Sequence, residues 1–307
     1  MYGFLVIAYL FLGGASAGAL LVVSAWNLWF RRRHAAHAGR LRANRTCAPA
    51  PAAHAERLVF ALEALSKRVY VVGFALLVLA MVCLLWDLGA PERALLVFTR
   101  PHATVLTFGA YTLAAETLIA ALLAAAHTFG RPALSFRMRT VTEAICCVGA
   151  VCVMTYTGVF LAGSSGVPFW SSWWIVAVFT FSSLSCGLSL TLLVDWFTQG
   201  QTLLLRATRP LQKTHLACLA AETASIALFL AQTAANPAAH GALALLTAPD
   251  MLATAAVGVL GFGIVAPATL EAYSLARLDC RAIPVADALC LTGGLILRFC
   301  VIACGVH

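Results

Sequence analysis

Charge is what this sequence has least of. Only 10% of its 307 residues are Asp, Glu, Lys or Arg, against 62% hydrophobic, and the mean hydropathy is +0.92. A water-soluble domain could not cover itself with so little polar surface. The eleven cysteines contain no C-x-x-C pair, which argues against an iron–sulfur cluster in this chain. All but Cys47 and Cys280 fall within apolar runs, where cysteine serves as a small buried hydrophobe. Cys146, Cys147 and Cys152 form no metal set, because neighbours on a helix point about 100° apart. Histidine is missing from the middle of every apolar run. His34, His37 and His54 lie in a basic stretch, His102, His240 and His307 lie at or beyond the outer ends, and His127 and His215 mark inner ends. A b-type haem needs histidines facing each other within the bundle, so none is expected. The alternative, a haem between His127 and His215 at the inner rim, is outweighed by the reading of both as solvated helix ends.

What the chain does have is eight long apolar runs. They cover Leu5 to Phe30, Val69 to Trp86, Val105 to His127, Val141 to Gly163, Trp173 to Phe197, His215 to Thr233, Met251 to Leu270 and Ala286 to Cys304. Each is close to the ~20 residues a helix needs to cross a ~30 Å hydrocarbon core. The expected fold is an all-α integral membrane protein of eight transmembrane helices in two four-helix bundles. These are residues 1–163, with a basic cytoplasmic loop at 31–66, and residues 173–307.

Orientation follows from the basic residues. Nine lie between Arg31 and Arg68, and the third, fifth and seventh loops hold three, three and two, so 17 of the 20 share one side. Only Arg93 and Arg100 occupy the opposite loops, with Arg298 inside the last run. By the positive-inside rule both termini lie outside the cytoplasm, in the cytoplasmic (inner) membrane. The net charge of +8 is then a topology signal and calls for no nucleic acid. The first run lacks a charged start and leads into Arg31-Arg32-Arg33, so it reads as a retained helix and not as a signal peptide. The stretch from Arg31 to Glu56, rich in Ala, Arg and His with Pro49 and Pro51, reads as partly disordered or as an interfacial helix.

Small-residue stripes hint at a parallel repeat. Phe11-Leu-Gly-Gly-Ala-Ser-Ala-Gly-Ala-Leu-Leu21 in the first run is echoed by Phe181-Ser-Ser-Leu-Ser-Cys-Gly-Leu-Ser-Leu190 in the fifth, and Thr157-Gly158 by Thr292-Gly293. Polar residues within the runs carry more weight. A charge at the bilayer centre costs at least ~2.5–3.5 kcal/mol on insertion scales. Glu116, Glu222 and Arg298 should therefore face protein or water, and they are the candidate proton relay. Glu143, Asp195, Glu271 and Asp287 lie near inner ends, where snorkelling or pairing with Arg and Lys is the favoured reading.

The outer rim collects a second set. Asp87 closes the second run, His102 opens the third, Tyr156 leads out of the fourth, and Pro168-Phe169-Trp170 precedes the fifth. Tyr9 lies at comparable depth in the first run and Tyr111 in the third. Tyrosines with a carboxylate and a histidine at the mouth suit an amphipathic ring that must bind, give up protons and leave. Tyr9, Asp87, His102, Tyr111 and Tyr156 are thus the candidate residues for holding such a ring. Trp173 and Trp174 read more simply as an aromatic belt.

Several stretches together resemble one family. They are Tyr9-Leu-Phe-Leu-Gly-Gly-Ala-Ser-Ala-Gly18, Asp87-Leu-Gly-x-Pro-x-Arg93, Thr107-Phe-Gly-Ala-Tyr111, Tyr156-Thr-Gly-Val-Phe-Leu161 with Pro168-Phe-Trp170, and Gly293-Gly-Leu-Ile-Leu-Arg298. In this order they resemble the NrfD/polysulfide reductase membrane-subunit family. The resemblance implies a haem-free subunit that passes electrons between membrane quinone or menaquinone and an extracytoplasmic iron–sulfur protein. That partner would be coupled to a molybdopterin or multihaem catalytic subunit. Some members carry a histidine in the first helix near the quinone, where this chain has Tyr9. Two other classes compete: an ion-coupled secondary transporter, which would show inverted repeats, and a passive anchor, which would need no interior Glu or Arg. The charge asymmetry predicts that a reporter active only outside the cytoplasm, fused at the C-terminus, is active, and that one active only in the cytoplasm is silent.

Overall fold

In the computed structural model, the structure describes residues 3–43, 50–87, 105–130, 135–164, 166–198, 205–277 and 283–306. His102 and most of the Asp87–Arg93 motif lie outside them. Among the described residues, eight helices are long and apolar enough to cross a membrane: Phe4–Arg32, Leu62–Asp87, Thr107–Phe129, Phe136–Ala162, Trp174–Phe197, Arg209–Ala234, Pro249–Ala276 and Pro284–Gly305, called spans one to eight. Among the described residues there is no strand. Several spans are longer than the apolar runs alone indicate. Span two starts at Leu62 rather than Val69, because Ser66, Lys67 and Arg68 lower the hydropathy of a stretch that is nevertheless helical. The helix of span one continues to Ala43, and that of span two begins at Ala50. Much of the basic stretch is therefore helix extending from the spans.

Contacts between span ends define two faces. On the terminal face, a Cβ on Gly3 would sit 3.2 Å from Asp87 Oδ1, and the Trp170 ring packs on Gly305. On the basic face, Arg31 pairs with Glu143, and Arg209 donates to the Arg277 carbonyl at 3.4 Å. Spans one and five are the most deeply buried of the eight. Span one packs on spans two, four and five, and span five also packs on four, six and eight.

The two small-residue stripes turn out to face each other. A Cβ on Gly18 would overlap the backbone at Ser183 and lie 3.1 Å from the Gly187 Cα, and one on Gly187 would overlap Gly18 and Ala19. Without a hydrophobic force between helices in lipid, such close backbone approach supplies the van der Waals contact that holds them. The first four spans and the last four meet along this seam.

Span seven is unusual in its winding. Its middle, Ala255–Val265, is π-helix between two α-helical ends, and the Ala266 N–H reaches back to the Gly261 carbonyl. The widened turns carry Gly258 against Ile296 and Gly263 against Gly293 of span eight. Trp173 and Trp174 are 72% and 41% exposed, as belt positions at an interface should be, whereas Trp170 is buried and donates Nε1–H to the Val301 carbonyl at 3.0 Å.

The seam predicts a clear contrast. Gly187→Leu should destabilise the detergent-solubilised protein by at least the ~1–3 kcal/mol typical of overpacking. Gly241→Leu, where an added Cβ meets nothing within 4 Å, should leave the thermal midpoint unchanged.

Candidate functional site

At the terminal face, Tyr9 and Tyr156 are both buried and hydrogen-bond to each other. Gly109 of span three lies against the Tyr156 ring, where any Cβ would collide with it. The glycine thus makes room for the phenol. Tyr9 belongs to the hydrophobic cluster around Phe169, Trp170 and Val301, and Tyr156 to the cluster around Leu20, Tyr70 and Leu113. The pair therefore spans the border between the two. Asp87 is exposed beside Gly3 at the same face. Tyr111 does not join them. It is 39% exposed and stands two residues, about 200° of helix rotation, from the Gly109 side that meets Tyr156.

Below this pair sits Arg298, 1% exposed. Its Nε donates to the Leu10 carbonyl at 3.3 Å, Nη1 to Ser182 Oγ at 3.2 Å and to the Gly294 carbonyl at 2.8 Å, and Nη2 to Ser183 Oγ at 2.8 Å. The rings of Phe11 and Phe179 each lie 5.7 Å from the guanidinium carbon. One side chain thus ties span eight to spans one and five. The acceptors are neutral, so the cation is solvated by protein dipoles in place of water. Gly14 is what admits it, since a Cβ there would lie 2.9 Å from Nη2.

A buried polar column leads on from Arg298 toward the basic face. Glu222 accepts from Ser185 Oγ at 2.8 Å and is also hydrogen-bonded by Ser182. Ser185 lies 3.7 Å from Cys290 Sγ, and Cys290 lies 3.6 Å from His215 Nε2. Ser189 Oγ is 3.2 Å from the same nitrogen, and His215 Nδ1 is 2.6 Å from Glu271 Oε1. Asp287 closes the column, with one ligand atom each of His215, Glu271 and Asp287 lying within 4.8 Å of one another.

The first four spans hold a second column. Glu116, 0% exposed, accepts from Cys146 Sγ at 3.1 Å. Cys146 hydrogen-bonds with Ser24, which lies 3.0 Å from Tyr70 Oη. The Tyr70 ring packs 4.8 Å from that of His127, and Arg139 hydrogen-bonds His127. Glu143 sits between Arg31 and Arg139, the latter at 3.6 Å. Glu116 and Glu222 thus stand in separate columns, one in each half of the molecule.

Two expectations about the inner ends change. His215 is not a solvated helix end: it is 0% exposed, and both ring nitrogens face protein partners. Of the four inner carboxylates, Glu143 does pair with arginine, but Glu271 pairs with His215, and none of the four is exposed enough to snorkel. His215, Glu271, Ser185 and Cys290 were not singled out as site residues. A sequence signal for this region exists in a register other than the one first noted. Glu143-Ala-Ile-Cys146-Cys-Val-Gly149 in span four matches Asp287-Ala-Leu-Cys290-Leu-Thr-Gly293 in span eight. Both spans run from the basic to the terminal face, so the repeat is parallel.

A family model described as polysulphide reductase, NrfD, matches residues 1–307, the whole chain. The chain belongs to the NrfD family. Members of this family are membrane subunits of oxidoreductase complexes that assemble with other subunits. A search of curated proteins gives no match.

Two apolar cavities lie away from the tyrosine pair. A cavity of about 440 Å³ opens between spans one, five and six toward the basic face, lined by Trp26, Trp29, Leu188, Pro210, Leu211 and neighbours. A smaller one of about 170 Å³, lined by Phe169, Phe229, Leu297 and Val301, lies in the terminal half of the last four spans. Both linings are almost wholly apolar. They suit hydrocarbon chains, whereas the phenol pair offers hydroxyl groups.

The Arg298 geometry predicts that lysine is no substitute, because a single ammonium cannot reach four acceptors arrayed around a planar fork. Arg298→Lys should lower the thermal midpoint of the detergent-solubilised protein nearly as much as Arg298→Met.

Proposed function

We propose that this NrfD-family chain is the quinol-oxidising membrane subunit of its oxidoreductase complex, working at the terminal face. The observation that carries the reading is the buried, hydrogen-bonded Tyr9–Tyr156 pair at the border of two hydrophobic clusters, directly above the Arg298 seam. Quinol oxidation releases two electrons and two protons. The phenol hydroxyls of Tyr9 and Tyr156 hold and orient the ring oxygens, and exposed Asp87, with His102, takes the protons to the outside. The electrons leave to an extracytoplasmic iron–sulfur subunit that docks on the terminal face and serves a molybdopterin or multihaem catalytic subunit. The chain lies in the cytoplasmic membrane with both termini outside, in keeping with the basic residues on the opposite face.

The two columns supply the proton side of this reading. Glu116 and Glu222 each sit deep in the bundle and connect through hydroxyls and thiols to groups at the basic face. Such chains can pass protons by successive donor and acceptor exchange, with Arg298 setting the electrostatic field at the terminal end of one of them. The parallel sense of the Glu143–Gly149 and Asp287–Gly293 repeat disfavours a transporter built on inverted repeats. A passive anchor gives no account of two columns of buried ionisable groups.

In the assembled complex, Tyr156→Phe should lower quinol-dependent turnover about tenfold, the cost of one hydrogen bond of roughly 1.4 kcal/mol, and Asp87→Asn should lower it further. Unchanged turnover in both variants would move the site elsewhere. Glu116→Gln should keep assembly and turnover but lower the membrane potential built by proteoliposomes. An unaltered potential would make Glu116 a structural hydrogen-bonding residue only.

A further inference from the structure

The basic-face end of the Glu222 column gathers two buried carboxyl groups and a buried imidazole. Glu271 and Asp287 are 3% and 1% exposed, and His215 is 0% exposed. Glu271 Oε2 and Asp287 Oδ1 have no hydrogen-bond partner among the described residues, though both atoms are buried. Three basic side chains near the basic-face ends of spans six and seven are among those described. The Arg277 guanidinium lies 4.9 Å over the half-exposed Tyr273 ring, Arg209 donates to the Arg277 carbonyl, and Lys213 is exposed. Burying carboxyl oxygens with no donor or cation facing them is costly.

We infer that His215, Glu271 and Asp287 form a binding site for one divalent transition cation of the Zn²⁺ class, reached from the basic face. One imidazole nitrogen and two carboxylate oxygens, one from each side chain and all within 4.8 Å of one another, are the donor set that borderline cations prefer over Mg²⁺ or Ca²⁺. A neutral imidazole with two carboxylates carries a charge of −2, which the cation cancels. The hydrogen bonds around His215 suit this role. Ser189 faces His215 Nε2 and also hydrogen-bonds Asp287, so Nε2–H can donate outward while the Nδ1 lone pair turns to the metal. On binding, the proton that Nδ1 shares with Glu271 at 2.6 Å is released to solvent and the cation takes its place. The residues come from three spans but lie near the same ends. Asp287 is three residues into span eight, Glu271 is five from the end of span seven, and His215 is six into span six, so all are roughly 5–9 Å deep at 1.5 Å per residue.

The site stands whether or not quinol is the substrate, and its test needs no turnover. The full chain, purified in detergent, stripped with a chelator and carrying His34→Gln, His37→Gln and His54→Gln to remove competing imidazoles, is titrated with Zn²⁺ by calorimetry. The inference expects one tight site per chain. Glu271→Gln and Asp287→Asn, which keep side-chain shape, should each weaken it at least about tenfold, and His215→Gln should abolish it. A parent that binds no Zn²⁺, or isosteric variants that bind it as tightly as the parent, would overturn the inference. Circular dichroism confirms that the variants remain folded.

Discussion

Arg298 is the residue on which the two halves of this protein depend. A guanidinium in the membrane interior must find acceptors within the protein, and it finds them on both sides of the seam: the Leu10 carbonyl in span one, Ser182 and Ser183 in span five, and Gly294 in its own helix. Those acceptors come within reach only because spans one and five touch backbone to backbone at Gly18 and Gly187 and because Gly14 has no side chain. Small residues, close approach and buried cation form one arrangement. Adding a side chain at any of these glycines would push the acceptors out of the fork's reach, and removing the cation would leave the buried Ser182 and Ser183 hydroxyls of span five and the Leu10 carbonyl of span one without their shared partner.

Function follows from what lies on either side of that seam. Toward the terminal face are the paired phenols of Tyr9 and Tyr156. Toward the basic face runs the Glu222, Ser185, Cys290 and His215 column, with the Glu116 column beside it in the first four spans. In a low-dielectric bundle each polar group must be partnered or change its protonation, so these columns are costly to bury. The proposed quinol-oxidising role gives them a use: in it the phenols would hold the ring, and the columns would offer protons a way between the faces.

Much of this was legible in the sequence, and the parts that were not share a physical cause. Eight spans and the isolated charges Glu116, Glu222 and Arg298 stand out against apolar runs because nothing nearby in sequence dilutes them. The ends of the spans were read short wherever polar residues continue a helix, as at Leu62–Arg68 and Arg209–Thr214. His215 at the margin of its run looks the same whether it is solvated or buried. Its partner Glu271 is 56 residues away, a separation no helical period reports. Tyr111 shares a depth with Tyr156 but not a face, a distinction that the contact of Gly109 with the Tyr156 ring decides. The stripes of spans one and five read as repeated units, and only in three dimensions are they each other's binding surface.

The central claim is that the quinone ring sits at the phenol pair and not in the larger apolar cavity at the other face. Photolabelling of the purified complex with an azido-quinone, followed by peptide mapping, tests this directly. The account predicts label on the terminal ends of spans one and four, in the peptides that hold Tyr9 and Tyr156. Label concentrated instead on Trp26, Trp29 and Leu211, at the basic-face cavity, would contradict it.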